Sequence, residues 1–317
     1  MQVTVDASLL DRFNGAVNAL HVPEGARILC AVSGGPDSLA LLLLLHETMP
    51  NRVVAATVDH ALRPESADEA QYVQRFCKDM HVPHVILSPA EKISGNIQSA
   101  ARHARYALLA QAAEQHDCQY IATAHHADDQ LETVLMRIAR GSGVDGLSAI
   151  RSTNGKILRP LLGFTKDELI SICATAGLNP VVDPSNENTD FERVAMRNWL
   201  TNTPHPFRAD RTGRTASALA DASEALNWMT ETLTQERVQR ATGAVRCDAR
   251  DVPREIQRRL LIHCLKLLEP ELAPRGDAID RLLSELSDGR TATMGAVKCE
   301  GGDNWRFTMA PPRRNKV

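Results

Sequence analysis

The chain has 317 residues, 43% hydrophobic and 24% charged, which suits two soluble globular domains. Its net charge of −3 excludes a uniformly basic nucleic-acid binder, so any contact with RNA must come from a local basic stripe. Seven cysteines without a C-x-x-C pair argue against zinc ribbons, thioredoxin-type redox and simple iron–sulfur ligation, and predict a reduced, cytoplasmic protein. The N-terminus, with Asp6 and Asp11, is not a signal peptide, and the longest apolar run, Leu39–Leu45, is too short to span a bilayer.

In chain order, the first predicted strand is Arg27–Val32. Ser33-Gly34-Gly35-Pro36-Asp37-Ser38 follows, then a buried helix over Leu39–Met49. Gly34 and Gly35 let the backbone turn tightly and approach an anion without a Cβ in the way. The helix start points its free N–H groups at that anion, and the Ser33 and Ser38 hydroxyls add donors. Asp37 would repel a phosphate unless it holds a cation or caps the helix, so Mg²⁺ at Asp37 is implied. No Gly-Lys-Ser/Thr follows, so the loop is not a Walker A motif, and the G-x-G-x-x-G spacing of dinucleotide sites is absent.

The second strand, Val53–Asp59, runs into His60-Ala61-Leu62-Arg63-Pro64-Glu65-Ser66. Asp59, His60 and Arg63 would sit beside the glycine loop and could bind the adenosine or the acceptor; a strand-end histidine also serves as a structural hydrogen-bonder. A helix over Ser66–Met80, a strand over His84–Leu87 and a long helix over Asn96–Gln115 come next. Arg102 and Arg105, one turn apart on the last of these, could clamp phosphates or make surface salt bridges.

The strand Tyr120–Ala124 leads into His125-His126-Ala127-Asp128-Asp129-Gln130-Leu131-Glu132-Thr133. Leu131, Val134, Leu135 and Ile138 fall at helical spacing and define a buried face. Asp129 and Glu132 fall to its side, looking along the helix start toward the strand ends. Carboxylates there could bind a cationic substrate, hold Mg²⁺ or take a proton, or simply suit the helix dipole. His125, His126 and Asp129 resemble metal-ligand spacing weakly, with no cysteine in support of zinc.

Thr165 and Glu168 form a capping box for a helix to Ala176, with Gly177 as its stop. Asp183-Pro184-Ser185-Asn186 reads as a loop that caps its own backbone. Arg193 and Arg197 beyond it would reach outward, opening a basic stretch to Arg214 in which Glu192 and Asp210 are the only acids. The two prolines of Thr201–Phe207 mark a boundary. Helices near Thr215–Arg240, Pro253–Leu268 and Pro274–Leu286 and short strands near Thr291–Cys299 and Trp305–Met309 follow. The expected fold is α/β: a doubly wound parallel sheet in an ATP-binding catalytic domain over 1–205, with a smaller, mainly helical domain over 206–317. Ligands of such sheets bind beyond the carboxyl ends of the strands.

Together these segments resemble the tRNA(Ile)-lysidine synthases, within the PP-loop or N-type ATP pyrophosphatase superfamily, over most of residues 24–200. The pieces that carry the resemblance are Ser33–Ser38, Val58–Ser66, the Asn96–Tyr106 helix, Ala124–Thr133, Gly141–Leu147, Arg159-Pro160-Leu161, and Asp183–Asn186 leading into Arg197-Asn198. The glycine loop alone indicates only the superfamily; the second and fourth pieces, in order, are more specific. Where members often continue Arg-Asn with a further basic residue, this chain has Trp199-Leu200-Thr201, and it ends like the short members.

The resemblance implies adenylation of the wobble cytidine in the CAU anticodon of isoleucine tRNA, then attack by lysine with loss of AMP. It implies ATP binding by Ser33, Gly34, Gly35, Pro36, Asp37, Ser38 and His60, catalysis by Asp37, Asp129 and Glu132, and tRNA or phosphate contacts at Arg63, Arg102, Arg105, Arg193 and Arg197. ATP and Mg²⁺ would be cofactors, the tRNA and L-lysine partners, with no membrane and a homodimer left open. A PP-loop tRNA thiolase usually needs cysteines in a pattern absent here. An amidotransferase-type synthetase would bring a glutaminase segment. A non-catalytic ATP-binding module leaves Asp129, Glu132 and residues 183–198 without a purpose.

Overall fold

A strand that is apolar at every position belongs inside a sheet covered on both faces, and Ile28–Ala31 lies at such a place. The computed structural model of the chain describes residues 5–59, 66–89, 97–181 and 192–310, which fall into two units, Met1–Ala218 and Leu219–Val317.

The first unit runs α1 (Ala7–Ala19), β1 (Ile28–Ala31), α2 (Pro36–Thr48), β2 (Val53–Val58), α3 (Ser66–Asp79), β3 (His84–Leu87), α4 (Ile97–Gln115), β4 (Tyr120–Ala122), α5 (Ala127–Ala139), α6 (Val144–Leu147), β5 (Thr153–Asn154), β6 (Ile157–Leu158), α7 (Lys166–Thr175) and α8 (Glu192–Asn202). Its sheet has the order β3-β2-β1-β4-β6-β5, parallel except for the short β5 edge. After β1 the chain moves to β2 and β3 on one side, then returns to place β4 on the other. The carboxyl ends of β1 and β4 therefore form a topological switch point.

Side chains alternate across the strands. Ile28, Cys30 and Val32 pack with Phe13 of α1, the leucines of α2, and Leu169 and Ile172 of α7. Leu29 and Ala31 pack the other way, with Val54, Ala56 and, from α4, Leu109, Ala112 and Ala113. Leu39–Leu45 are all 0% exposed, as befits a helix that is apolar all round.

The chain passes along α9 (Ala209–Arg237) into the second unit, which adds β7 (Val238–Ala241), β8 (Ala244–Cys247), α10 (Arg254–Leu268), α11 (Gly276–Ser287), β9 (Thr291–Met294), β10 (Val297–Glu300) and β11 (Trp305–Met309). Its five strands form an antiparallel sheet of order β7-β8-β11-β10-β9. Leu260, Leu261, Leu282 and Leu286 of the helices pack with Val245, Val297 and Phe307 of the strands.

Several elements depart from expectation, each for a local reason. The helix expected to reach Arg240 stops at Arg237, because Gly243 at φ +73° turns the next residues into a hairpin. Gly295 at φ +58° likewise splits the single strand expected over Thr291–Cys299 into β9 and β10. Helix α1 was unexpected; Asp6 accepts the Ser8 N–H at 2.9 Å and caps it. Helix α8 was also unexpected, and it has consequences for the site. The Thr201–Phe207 stretch lies within the first unit, whose division from the second falls inside α9.

Candidate active site

The glycine loop is shaped by its neighbours. Gly34 sits at φ +88°, and its carbonyl accepts the Val181 N–H at 2.9 Å. A Cβ there would meet Val181 Cγ2 at 3.3 Å and Val73 Cγ2 at 3.4 Å, so both backbone conformation and space ask for glycine. Pro36 occupies the first turn of α2, where a missing N–H costs nothing. No side chain caps this helix start, which leaves its first-turn donors available to an anion.

The two serines divide their work. Ser38 Oγ donates to the Gly35 carbonyl at 3.0 Å, accepts the Ser33 N–H at 3.0 Å and lies 3.2 Å from Ser33 Oγ. Its proton is thus spent inside the loop, and the residue is buried. Ser38 therefore staples the loop, while Ser33 carries the exposed hydroxyl.

Asp37 and the start of α5 meet across His126. The imidazole, buried, has Nε2 3.6 Å from Asp37 Oδ2 and 3.7 Å from Asp129 Oδ2, and Nδ1 3.4 Å from Asp128 Oδ2. As N-cap of α5, a neutral ring would accept the Asp128 N–H at 3.3 Å, whereas a charged ring donates from both nitrogens. The two states exclude one another, and three carboxylates within reach favour the charged one. Burial opposes the charge, but hydrogen bonding to Asp128 and Asp37 and the charges of Asp129 and Asp37 outweigh it and raise the pKa to about 10. His125, beside it, goes the other way. Burial, with the charges of Arg159, Arg102 and Arg193, outweighs Asp129 and lowers it to about 4.

Helix α8 supplies the next layer. Arg193 Nε donates to Glu132 Oε2 at 2.8 Å and its Nη2 to Asp129 Oδ1 at 2.9 Å. Arg197 donates through Nε to Glu132 Oε1 at 2.6 Å and through Nη2 to Oε2 at 3.1 Å. Asp129 Oδ2 also accepts the His126 N–H at 3.1 Å, closing the cap of α5. Burial pulls the Asp129 carboxyl upward, but His126 and Arg193 overcome it and hold it below the usual carboxylate range. Asp37, His126, Asp129, Arg193, Glu132 and Arg197 thus form one continuous charged chain at the switch point.

Two expectations are corrected here. Arg193 and Arg197 do not reach outward; helical spacing of four residues puts both on the side of α8 that faces α5. Glu132 does not look out along the helix start. Its side chain is 3% exposed, under both guanidinium groups, while that of Asp129 is 14% exposed. The sequence carried a signal for this in the R-x-x-x-R spacing after Glu192, legible only once the segment is helical.

The other named residues distribute as follows. Arg102 of α4 is exposed, stacks over the Tyr106 ring at 5.1 Å, and donates to its hydroxyl at 3.5 Å. Arg105 is half-buried, and burial lowers its pKa, with the charge of Arg102 adding to the effect. Arg159, which the sequence singled out without a role, is buried and donates to the Arg151 carbonyl at 2.8 Å. His60, Arg63 and the Asp183–Asn186 loop lie outside the described residues.

A divalent cation fits Asp37, whose Oδ1 is buried without a hydrogen-bond partner. Among the described residues no group of three or more His, Cys, Asp or Glu could hold a metal alone, so a cation there would need phosphate oxygens to complete its shell. Among them, too, no helix is long and apolar enough to cross a membrane.

Comparison with known proteins places this geometry in context. A family profile described as a PP-loop domain matches residues 7–203. The tRNA(Ile)-lysidine synthase of Zymomonas mobilis is 40% identical over 315 residues, covering 96% of this chain and 95% of that protein. The tRNA(Ile)-lysidine synthase of Novosphingobium aromaticivorans is 40% identical over 316 residues, covering 96% and 94%. Among solved structures, the U34-tRNA thiolase NcsA from Methanococcus maripaludis superposes with a TM-score of 0.56 at 19% identity, over 68% of this chain and 79% of that one. That last likeness is one of fold.

Proposed function

Because the chain belongs to the tRNA(Ile)-lysidine synthase family of PP-loop proteins, we propose that it ligates lysine to the wobble cytidine of the CAU anticodon of isoleucine tRNA, in the cytoplasm, using ATP. The cytidine carbonyl oxygen attacks the α-phosphate of ATP, and pyrophosphate leaves. The lysine amine then attacks the activated carbon, AMP leaves with that oxygen, and the amine's proton is released.

The observation that carries the reading is the meeting, across His126, of the Asp37 loop with the acidic start of α5 at the ends of β1 and β4. The uncapped start of α2 suits the departing pyrophosphate, which is stabilisation where charge develops. Mg²⁺ held by Asp37 would neutralise phosphate charge when bound. Of the two candidate acids, Asp129 and Glu132, Asp129 is the one we assign to the lysine amine, since it keeps some exposure and each carboxylate oxygen has two lone pairs; Asp128, the third acid of α5, is occupied with His126 and the Lys166 N–H. Glu132, under its two arginines, is assigned a positioning role. Arg102 and Arg105 remain our candidates for phosphate contacts on the α4 side. The target base must be splayed from its stack to reach the switch point.

Incubation with labelled lysine, ATP and a CAU-anticodon isoleucine tRNA tests the proposal. Label should enter that tRNA and not methionine tRNA, with AMP and pyrophosphate formed in step; ATP binding without incorporation would leave the non-catalytic reading standing instead.

A further inference from the structure

The Thr201–Phe207 stretch has a use that the reaction chemistry does not account for. Trp199, at the end of α8, stacks on His205 with ring centroids 5.9 Å apart and planes 23° from parallel. His205 stacks in turn on Phe207 at 6.0 Å and 29°. Trp199 is 43% exposed and Phe207 41%, and neither joins a hydrophobic core. The half-buried His205 ring thus stands in a row between two exposed rings, each no more than 29° from parallel to it.

The row is held in place by backbone. His205 Nε2 donates to the Leu200 carbonyl at 2.9 Å, which fixes the ring. Pro204 and Pro206 flank it, restricting their own φ and pushing the residues before them to extended backbone. A pre-ordered row of rings loses little conformational freedom when something stacks on it.

The surrounding charge says what that something is. Arg208, Arg211 and Arg214 are exposed at the start of α9, and Asp210, the only acid between Glu192 and Asp221, accepts from Arg208 at 3.1 Å. Arg211 and Arg214 lie one turn apart on the same side of the helix. Exposed aromatic rings beside three arginines that share one acid are the recipe for single-stranded nucleic acid, bases on rings and phosphates on guanidinium groups. A protein partner would have no need of so positive a surround in a chain of net charge −3.

We propose that Trp199, His205 and Phe207 form a stacking platform for an unpaired base of the RNA substrate, with Arg211 and Arg214 holding neighbouring phosphates. The proposal rests on the reading that the substrate is tRNA. Trp199 lies two residues, or about 200°, round α8 from Arg197. The platform therefore occupies the opposite side of the helix that holds the acid–arginine chain. A base other than the reacting cytidine would stack there, fixing the RNA while its neighbour enters the site.

Anisotropy of a fluorescent CAU-anticodon stem-loop, titrated with the full chain at several salt concentrations, tests this. Trp199→Ala and Phe207→Ala should each weaken binding roughly tenfold without changing the salt slope, and Trp199→Phe should recover most of the loss. Arg211→Gln and Arg214→Gln should each lower the salt slope by about 0.7. Thermal unfolding of each variant separates lost contact from lost fold. Wild-type affinity in both alanine variants would overturn the platform, as would a Trp199→Phe protein as weak as Trp199→Ala. A dimer that Trp199→Ala dissociates, with RNA affinity untouched, would overturn it in favour of a protein interface. If the platform alone fails, lysine incorporation by the unaltered chain persists; if that chain neither binds the stem-loop nor incorporates lysine, the tRNA reading falls and the platform with it.

Discussion

Arg197 Nε donates to Glu132 Oε1 at 2.6 Å, and Glu132 is buried beneath it. The carboxylate is the common partner of two guanidinium groups, so removing its charge leaves Arg193 and Arg197 facing one another. Breaking a fully buried pair costs about 3–5 kcal/mol. The arginines are 40% and 32% exposed, which screens the effect, so Glu132→Gln should cost about 2 kcal/mol. A cycle of Glu132→Gln and Arg197→Gln, followed by urea unfolding, should show coupling of about 1–2 kcal/mol. Additive losses would mean the contact contributes nothing.

The same pairing sets the behaviour of Arg193 toward RNA. Its charge is met by Asp129 and Glu132, so it releases few counterions on tRNA binding. Arg193→Gln should therefore leave the salt slope of tRNA affinity within about 0.3 of wild type while lowering turnover. A slope reduced by a full phosphate contact would show that the arginine leaves its acids in the complex.

Asp37 is a mixed case: one carboxylate oxygen faces His126 and the other is buried without a partner. An unmet buried acceptor costs about 1–3 kcal/mol. Asp37→Asn should abolish tRNA-dependent ATP–pyrophosphate exchange while moving the unfolding midpoint little, because the loss of the His126 ion pair is offset by relief of the unmet carboxylate. A clear fall in stability would point to a structural role instead.

How much of this was legible follows the range of the interactions. The glycine loop, the apolar strands and the Thr165–Glu168 capping box are local, and spacing of a few residues specifies them. That Asp129 and Glu132 lie to one side of the apolar face of α5 was legible because a helix fixes which residues share a side; that Glu132 is buried was not. Their partners were not, because Arg193 is 61 residues from Glu132 and which way α8 turns depends on packing against α5. The link from His126 to Asp37 was hidden for a related reason. Asp129 lies three residues on and is local, but Asp37 comes from another strand end, made adjacent only by the pairing of β1 with β4. The antiparallel hairpins of the second unit turn on single glycines, weak signals beside the long helix that precedes them.

Gly34 provides a test of the loop itself. At φ +88°, with Val181 Cγ2 3.3 Å from any Cβ, Gly34→Ala should cost about 1–2 kcal/mol from backbone strain. ATP affinity should fall by more than that strain alone explains, because the loop must open its N–H groups to phosphate. Calorimetric titration with ATP against unfolding in its absence separates the two; equal losses would mean that the loop binds no phosphate.

The adjacent histidines give a pH signature with two limbs. His126, raised from 6.5 to about 10 by its carboxylates against the pull of burial, binds its proton more tightly folded than unfolded. Its contribution is complete below pH 6.5 and lost as pH rises toward 10. His125, lowered from 6.5 to about 4 chiefly by burial, refuses a proton that the unfolded chain accepts. That contribution is complete above pH 6.5 and lost as pH falls toward 4. In the ATP-free protein, stability should peak near pH 6.5, with His126→Asn flattening the alkaline limb and His125→Asn the acid one. Imidazole NMR at pH 8 should find one ring of the pair charged and the other neutral. Two rings titrating together near 6.5 would mean that Asp37 and Asp129 do not hold His126 in the charged state, and that the link between the glycine loop and α5 is an ordinary neutral helix cap.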